Sequence, residues 1–114
     1  MTQDALARFR AGFITCELAA LVDISAGTVL MADSAIRLGQ EHLDDLCAMA
    51  ADLWAGKGPD GPGSAILTGP TGNRVFLRSP LDEAEVLCCL FAPQADLGGI
   101  EDAAQVLFAD DAGA

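Results

Sequence analysis

Leu18-Ala19-Ala20-Leu21-Val22-Asp23-Ile24-Ser25-Ala26-Gly27-Thr28-Val29-Leu30-Met31-Ala32 is the stretch that decides how this chain is built. Two apolar runs of strand length flank a short segment that Asp23 opens and Gly27 closes. Asp and Ser bond back to nearby backbone amides, and Gly accepts the positive φ that a short hairpin often needs. Residues 16–34 are therefore expected as an antiparallel hairpin with a local turn, and local pairings form early. The rest of the chain completes and covers the sheet that this hairpin begins.

The chain has 114 residues, 52% of them apolar, and is expected as one domain spanning 1–114 with a short acidic tail at 110–114. A chain of this size buries about two-thirds of its unfolded surface, enough for a core without staples. Met1 leads into Thr2-Gln3-Asp4 rather than a basic and then apolar leader, and no apolar run reaches the roughly 18 residues of a membrane span. A soluble, cytoplasmic protein is expected. Seventeen acidic residues against six basic give a formal charge of −11. Nucleic acid and anionic lipid both require clustered Lys and Arg, so neither nucleic-acid binding nor membrane insertion is expected. Solubility, or a partner with a basic patch, accounts for the charge.

Chemistry-bearing motifs are sparse. Cys16, Cys47, Cys88 and Cys89 contain no CxxC spacing, and His42 is the single histidine. No metal, no cofactor and no catalytic residue is expected on that pattern. Cys88 and Cys89 sit side by side in an apolar run, so on a strand they point to opposite faces as buried, reduced thiols. Gly56-Lys57-Gly58-Pro59-Asp60-Gly61-Pro62-Gly63 follows a helix, and no Ser or Thr follows Lys57. It is a connecting loop, since a phosphate-binding loop follows a strand and ends in Lys-Ser or Lys-Thr.

Taken in order, Thr2 is placed to cap a short helix with Asp4 in its first turn, and Leu6, Phe9 and Phe13 recur at helical spacing up to Gly12 and beyond. After the hairpin, 39–56 reads as the clearest helix. Leu43, Leu46, Cys47, Ala50, Leu53 and Trp54 share one face, and Glu41, Asp44, Asp45 and Asp52 the other. Strands follow at 64–68, 74–78 and 85–92, the first two joined by Gly69-Pro70-Thr71-Gly72-Asn73. In 74–78, Arg74, Phe76 and Arg78 share one face, and Val75 and Leu77 the other. A last helix is expected from about 94 to 108, with Leu97, Ile100, Ala104, Leu107 and Phe108 as its stripe. Gly98-Gly99 costs about 1 kcal/mol per Gly inside a helix, so either the helix begins after the pair or another backbone passes close to it.

The fold class that follows is α/β (α+β), with element order αββαβββα. Residues 18–22 and 86–92 are apolar on both faces and belong at the centre of a sheet covered from both sides. Hairpin neighbours usually pair. The order is then 2-1-5-4-3, mostly antiparallel, in a three-layer α/β/α sandwich. Helix 39–56 covers one face and the terminal helices the other. Strand 64–68 becomes an edge bearing Ile66 and Leu67 with no internal Lys or Pro to block pairing.

These residues resemble the roadblock/LC7 (dynein light chain roadblock-type) family, which has a profilin-like fold. The likeness lies in 18–30, in helix 39–56 with the strand pair 64–78, and in Leu87–Phe91 leading to Asp96-Leu97-Gly98, where the family often has Asn-Leu-Gly. It spans about residues 5–109. The resemblance implies a non-catalytic homodimeric module that regulates or scaffolds a Ras-like small GTPase. It also implies pairing with a second copy through strand 64–68 and helix 39–56. The interface residues expected on that basis are Leu46, Met49, Leu53, Trp54, Ala65, Ile66 and Leu67. The alternative is a profilin-like small-molecule or signal-sensing domain, for which Arg74, Arg78 and His42 are the polar candidates. Arg74 and Arg78 are expected as a solvated strand face.

Overall fold

Asp23 closes the hairpin as its chemistry requires. In the computed structural model, which describes residues 1–58 and 60–113, its Oδ1 accepts from the Ser25 amide at 2.9 Å, the Ser25 hydroxyl at 2.6 Å and the Ala26 amide at 3.1 Å. Gly27 takes φ 65° at the exit. The Ser25 hydroxyl, followed by the Ala26 amide, holds the Asp23 carboxyl below its ordinary value.

The elements are α1 Gln3–Ala11, β1 Cys16–Asp23, β2 Thr28–Ser34, α2 Gln40–Trp54, β3 Ser64–Gly69, β4 Gly72–Arg78, β5 Glu85–Phe91 and α3 Ile100–Gly113. The strands form one sheet in the order β2-β1-β5-β4-β3, with every neighbouring pair antiparallel. The architecture expected from the apolar patterning is the one observed. Its reason is visible at the centre, where residues 18–22 of β1 and 86–89 of β5 are all buried.

Two cores lie on the two faces of the sheet. Leu6 and Phe9 of α1 and Ile100, Ala104, Leu107 and Phe108 of α3 pack on Ala19, Leu21, Val75, Leu87 and Cys89. On the other face Leu46, Cys47, Ala50 and Trp54 of α2 pack on Leu18, Val22, Phe76, Val86 and Cys88. Cys88 and Cys89 thus face opposite cores. All four cysteines are free and buried, and desolvation pushes the Cys88 thiol far above its ordinary value. A buried thiol so hard to ionise serves as a small apolar side chain.

Local capping matches the sequence in several places. The Thr2 hydroxyl accepts from the Ala5 amide at 3.1 Å, and Gly56 follows α2 at φ 72°. Phe13 lies beyond α1, its ring edge-on to Phe91 at 6.1 Å. Three features differ from expectation. The last helix begins at Ile100 rather than near 94, because Gly99 adopts φ 80° and the Asp96 carboxylate accepts from the Gly98 amide at 2.9 Å. A left-handed residue breaks the helical path, so the glycine pair marks the entrance. The same helix runs on through Gly113, into the acidic C-terminal residues.

Arg78 is the third difference. It is 8% exposed rather than solvated. Its Nε donates to the Glu83 carbonyl at 2.9 Å and its Nη1 to the Gly58 carbonyl at 2.8 Å. The segments before β3 and after β4 fold over this end of the strand and supply acceptors, a detail that strand alternation cannot show.

The β3–β4 turn is tight. Gly69 and Gly72 are the last opposed pair, leaving Pro70 and Thr71 as the loop. Gly72 has φ 151°, and a Cβ there would stand 2.5 Å from the Phe91 carbonyl oxygen. Gly72→Ala is expected to lower stability by at least the roughly 1–3 kcal/mol of a disfavoured backbone conformation, measured by urea denaturation. At the opposite end of the sheet Asp23 faces Glu85 across the β1–β5 pair. Desolvation, with Asp82 and Asp23 adding like charge, raises the Glu85 carboxyl above its ordinary 4.5. A raised carboxyl destabilises the fold while ionised, and this penalty disappears as pH falls below 4.5. Glu85→Gln should therefore raise the melting temperature at neutral pH and lose that advantage in acid, in paired thermal melts.

Candidate interaction surface

The two edges of the sheet are built differently. Along β2, the Gln3 side-chain amide donates to the Ala32 carbonyl at 2.8 Å, and Arg10 forms an ion pair with Asp33. Pairing also slips by one residue there: Leu21 faces Met31 but Val22 faces Val29, so Leu30 is bulged out. Contacts from a covering helix, an edge charge and a bulge each discourage another strand from adding. β2 has all three.

β3 has no bulge and no charged residue, and α3 reaches it at its first residue, Ser64. It pairs with β4 alone. Its side chains alternate across the sheet by register. Ile66 is opposite Val75 and faces the α1/α3 layer, whereas Ala65 and Leu67 are opposite Phe76 and Arg74 and face the α2 layer. Ile66 is 47% exposed and Leu67 38%. The Ser64 hydroxyl donates to Glu101 at 2.8 Å and fixes the start of the strand against α3.

The seven residues expected at an interface divide into three groups. Ile66 and Leu67 are exposed on the free edge. Met49, Leu53 and Ala65 are half-buried at the margin of the α2 core. Leu46 and Trp54, each 3% exposed, belong to the chain's own core, and the Trp54 indole donates to the Pro62 carbonyl at 2.7 Å. The last two therefore offer no surface to a partner. Helical periodicity finds the apolar face of α2, but that face is already used against the sheet. The outward face carries Glu41, Asp45, Ala48 and Asp52. His42 is exposed beside it and has no role in the core.

Two concave features escaped sequence reasoning, because they arise where elements meet. A hollow of about 200 Å³ on the sheet is lined by Glu17, Leu67, Thr68, Asn73, Arg74 and Leu90, among others. An apolar groove of about 600 Å³ lies between α1 and α3, lined by Phe9, Phe13, Val106 and Leu107, with Arg8 at its side. Among the described residues, no three His, Cys, Asp or Glu side chains gather to hold a metal ion, and no helix is long and apolar enough to cross a membrane.

No protein-family model matches the sequence, and no curated protein matches it. The similarity to solved structures is nevertheless extensive. A roadblock/LC7 domain from Streptomyces avermitilis superposes with TM-score 0.79 at 13% identity, covering 98% of this chain and 95% of that one. An MglB solved in a tetrameric arrangement gives TM-score 0.70 at 18% identity over 92% of this chain and 80% of that one. LokiProfilin1, solved in complex with rabbit actin, gives TM-score 0.58 at 14% identity over 96% and 95%. The chain has the roadblock/LC7 fold, and that fold is profilin-like.

Placing Trp54 in the core predicts its mutant phenotype. Trp54→Ala should cost about 3–5 kcal/mol of folding stability in chemical denaturation, as core truncations of aromatic residues do. An interface residue would instead change self-association and leave monomer stability nearly untouched.

Proposed function

We propose that this protein is a non-catalytic binding module of the cytoplasm that pairs with a second copy through β3 and, as a dimer, regulates or scaffolds a Ras-like small GTPase. The observation that supports this reading most directly is the contrast between a guarded β2 edge and an open β3 edge with Ile66 and Leu67 exposed. Antiparallel pairing of two β3 strands would join two five-stranded sheets into one and satisfy both free ladders. The tetrameric arrangement of the similar MglB is in keeping with self-association. The GTPase partner rests on the likeness to roadblock/LC7 proteins.

Magnitudes indicate how the pairing must work. Fully burying an Ile or Leu side chain contributes about 1.5–3 kcal/mol. Ile66 and Leu67 are 47% and 38% exposed, so less than half of that remains to be gained from each. A handful of new backbone hydrogen bonds adds about 0.5–1.5 kcal/mol each. Association itself costs about 4–15 kcal/mol. The edge alone therefore supports a weak dimer, and Met49 and Leu53 at the α2 margin are the residues that would strengthen it.

In sedimentation at tens of micromolar protein the chain is expected to run as a dimer, and Ile66→Lys as a folded monomer with an unchanged circular dichroism spectrum. A wild-type monomer at that concentration would rule out the dimer joined through β3 and the α2 margin. Capture from a lysate of the source cell with the immobilised dimer should recover a small GTPase, retained differently with GDP and with a non-hydrolysable GTP analogue. Recovery of no GTPase would count against the partner.

A further inference from the structure

The register places Leu67, Arg74, Leu90 and Leu18 in one row across β3, β4, β5 and β1. Leu18 lies in the α2 core, and Leu90 only at its margin. Beyond that margin the sheet is open, and the hollow of about 200 Å³ begins. Its lining joins an apolar floor, Leu67 and Leu90, to two opposite charges, Glu17 on β1 and Arg74 on β4. β5 runs between the charged strands, so their backbones stand about 10 Å apart at ordinary strand spacing. Glu17 and Arg74 do not form an ion pair, and among the described residues neither charged group has a hydrogen-bond partner. The hollow thus presents one anion and one cation, neither paired within the described residues, on either side of an apolar patch.

We propose that this hollow binds a small zwitterion, a free α-amino acid with an uncharged side chain. The ligand carboxylate meets the Arg74 guanidinium, the ammonium meets the Glu17 carboxylate, and the ligand side chain rests on Leu90, since Leu67 is the residue that edge pairing buries. Charge selects this class. A simple anion approaches a chain of net charge −11 against its field, and a simple cation finds carboxylates elsewhere on the surface. A zwitterion carries no net charge and is matched by the pair, each contact being a charge-assisted hydrogen bond. Size agrees, because the hollow is smaller than the roughly 300 Å³ at which sites for drug-sized ligands begin. The site is made by one chain and does not rest on the GTPase reading.

Isothermal titration of the full chain with the proteinogenic amino acids tests this. At least one uncharged member should bind with a dissociation constant of about 1 mM or tighter. The matching amino-acid amide lacks the carboxylate and the N-acetyl derivative lacks the ammonium, so each should bind at least about tenfold more weakly. Glu17→Gln and Arg74→Gln should each impose the same loss while leaving the circular dichroism spectrum and the sedimentation behaviour unchanged. The proposal is overturned if no amino acid binds at about 10 mM, if the blocked derivatives bind as well as the parent, or if both substitutions leave affinity unaltered.

Discussion

The antiparallel pairing of β1 with β5 is the constraint on which everything else depends. These two strands are distant in sequence and adjacent in space, and each is buried on both faces. Their junction closes the long loop between the N-terminal hairpin and the C-terminal strands. It also brings Leu18 and Cys88 to one core, and Leu21 and Cys89 to the other. Only residues without a polar group to satisfy suit both faces at once, which is why β5 tolerates two thiols but no charge within its centre. Since each core is built on the same pair of strands, a cavity opened at Val86 or Leu87 would be felt by helices on either side of the sheet.

From that centre the sheet extends in two directions with opposite outcomes. Towards β2 it ends in a bulged strand held to α1 by Gln3 and Arg10. Towards β3 it ends in a regular strand that pairs with β4 alone and that α3 reaches at Ser64. The asymmetry bears on aggregation: an open five-stranded sheet has two edges at which a strand can add, and here one is guarded and the other free. The acidic outer face of α2 adds a second restraint, since like-charged surfaces meet only where an interaction such as strand pairing outweighs their repulsion.

Much of this was legible in the residues. The hairpin is written in Asp23, Ser25 and Gly27, the strand order in two runs that are apolar on both faces, and α2 in a clean separation of leucines from carboxylates. Edge status was legible too, from the short length of 64–68. What escaped is of one kind. Whether the apolar face of α2 belongs to the chain or to a partner depends on where the helix docks, so Leu46 and Trp54 could not be separated from Met49 and Leu53 by periodicity. The burial of Arg78 depends on two connecting segments whose path has no period. The start of α3 depended on which of two readings of Gly98-Gly99 the backbone would choose. The hollow between Glu17 and Arg74 joins residues on two strands that do not touch, and no local pattern announces such a meeting.

Arg78 has a consequence for association. Its guanidinium ties the segment that enters β3 to the turn that leaves β4, through the carbonyls of Gly58 and Glu83. Both acceptors are backbone carbonyls, which do not titrate, so this tether holds across the pH range in which carboxylate pairs fail. The approach to the open edge is thereby anchored by the fold itself. A strand that docked there would meet an edge whose conformational entropy has already been given up in folding.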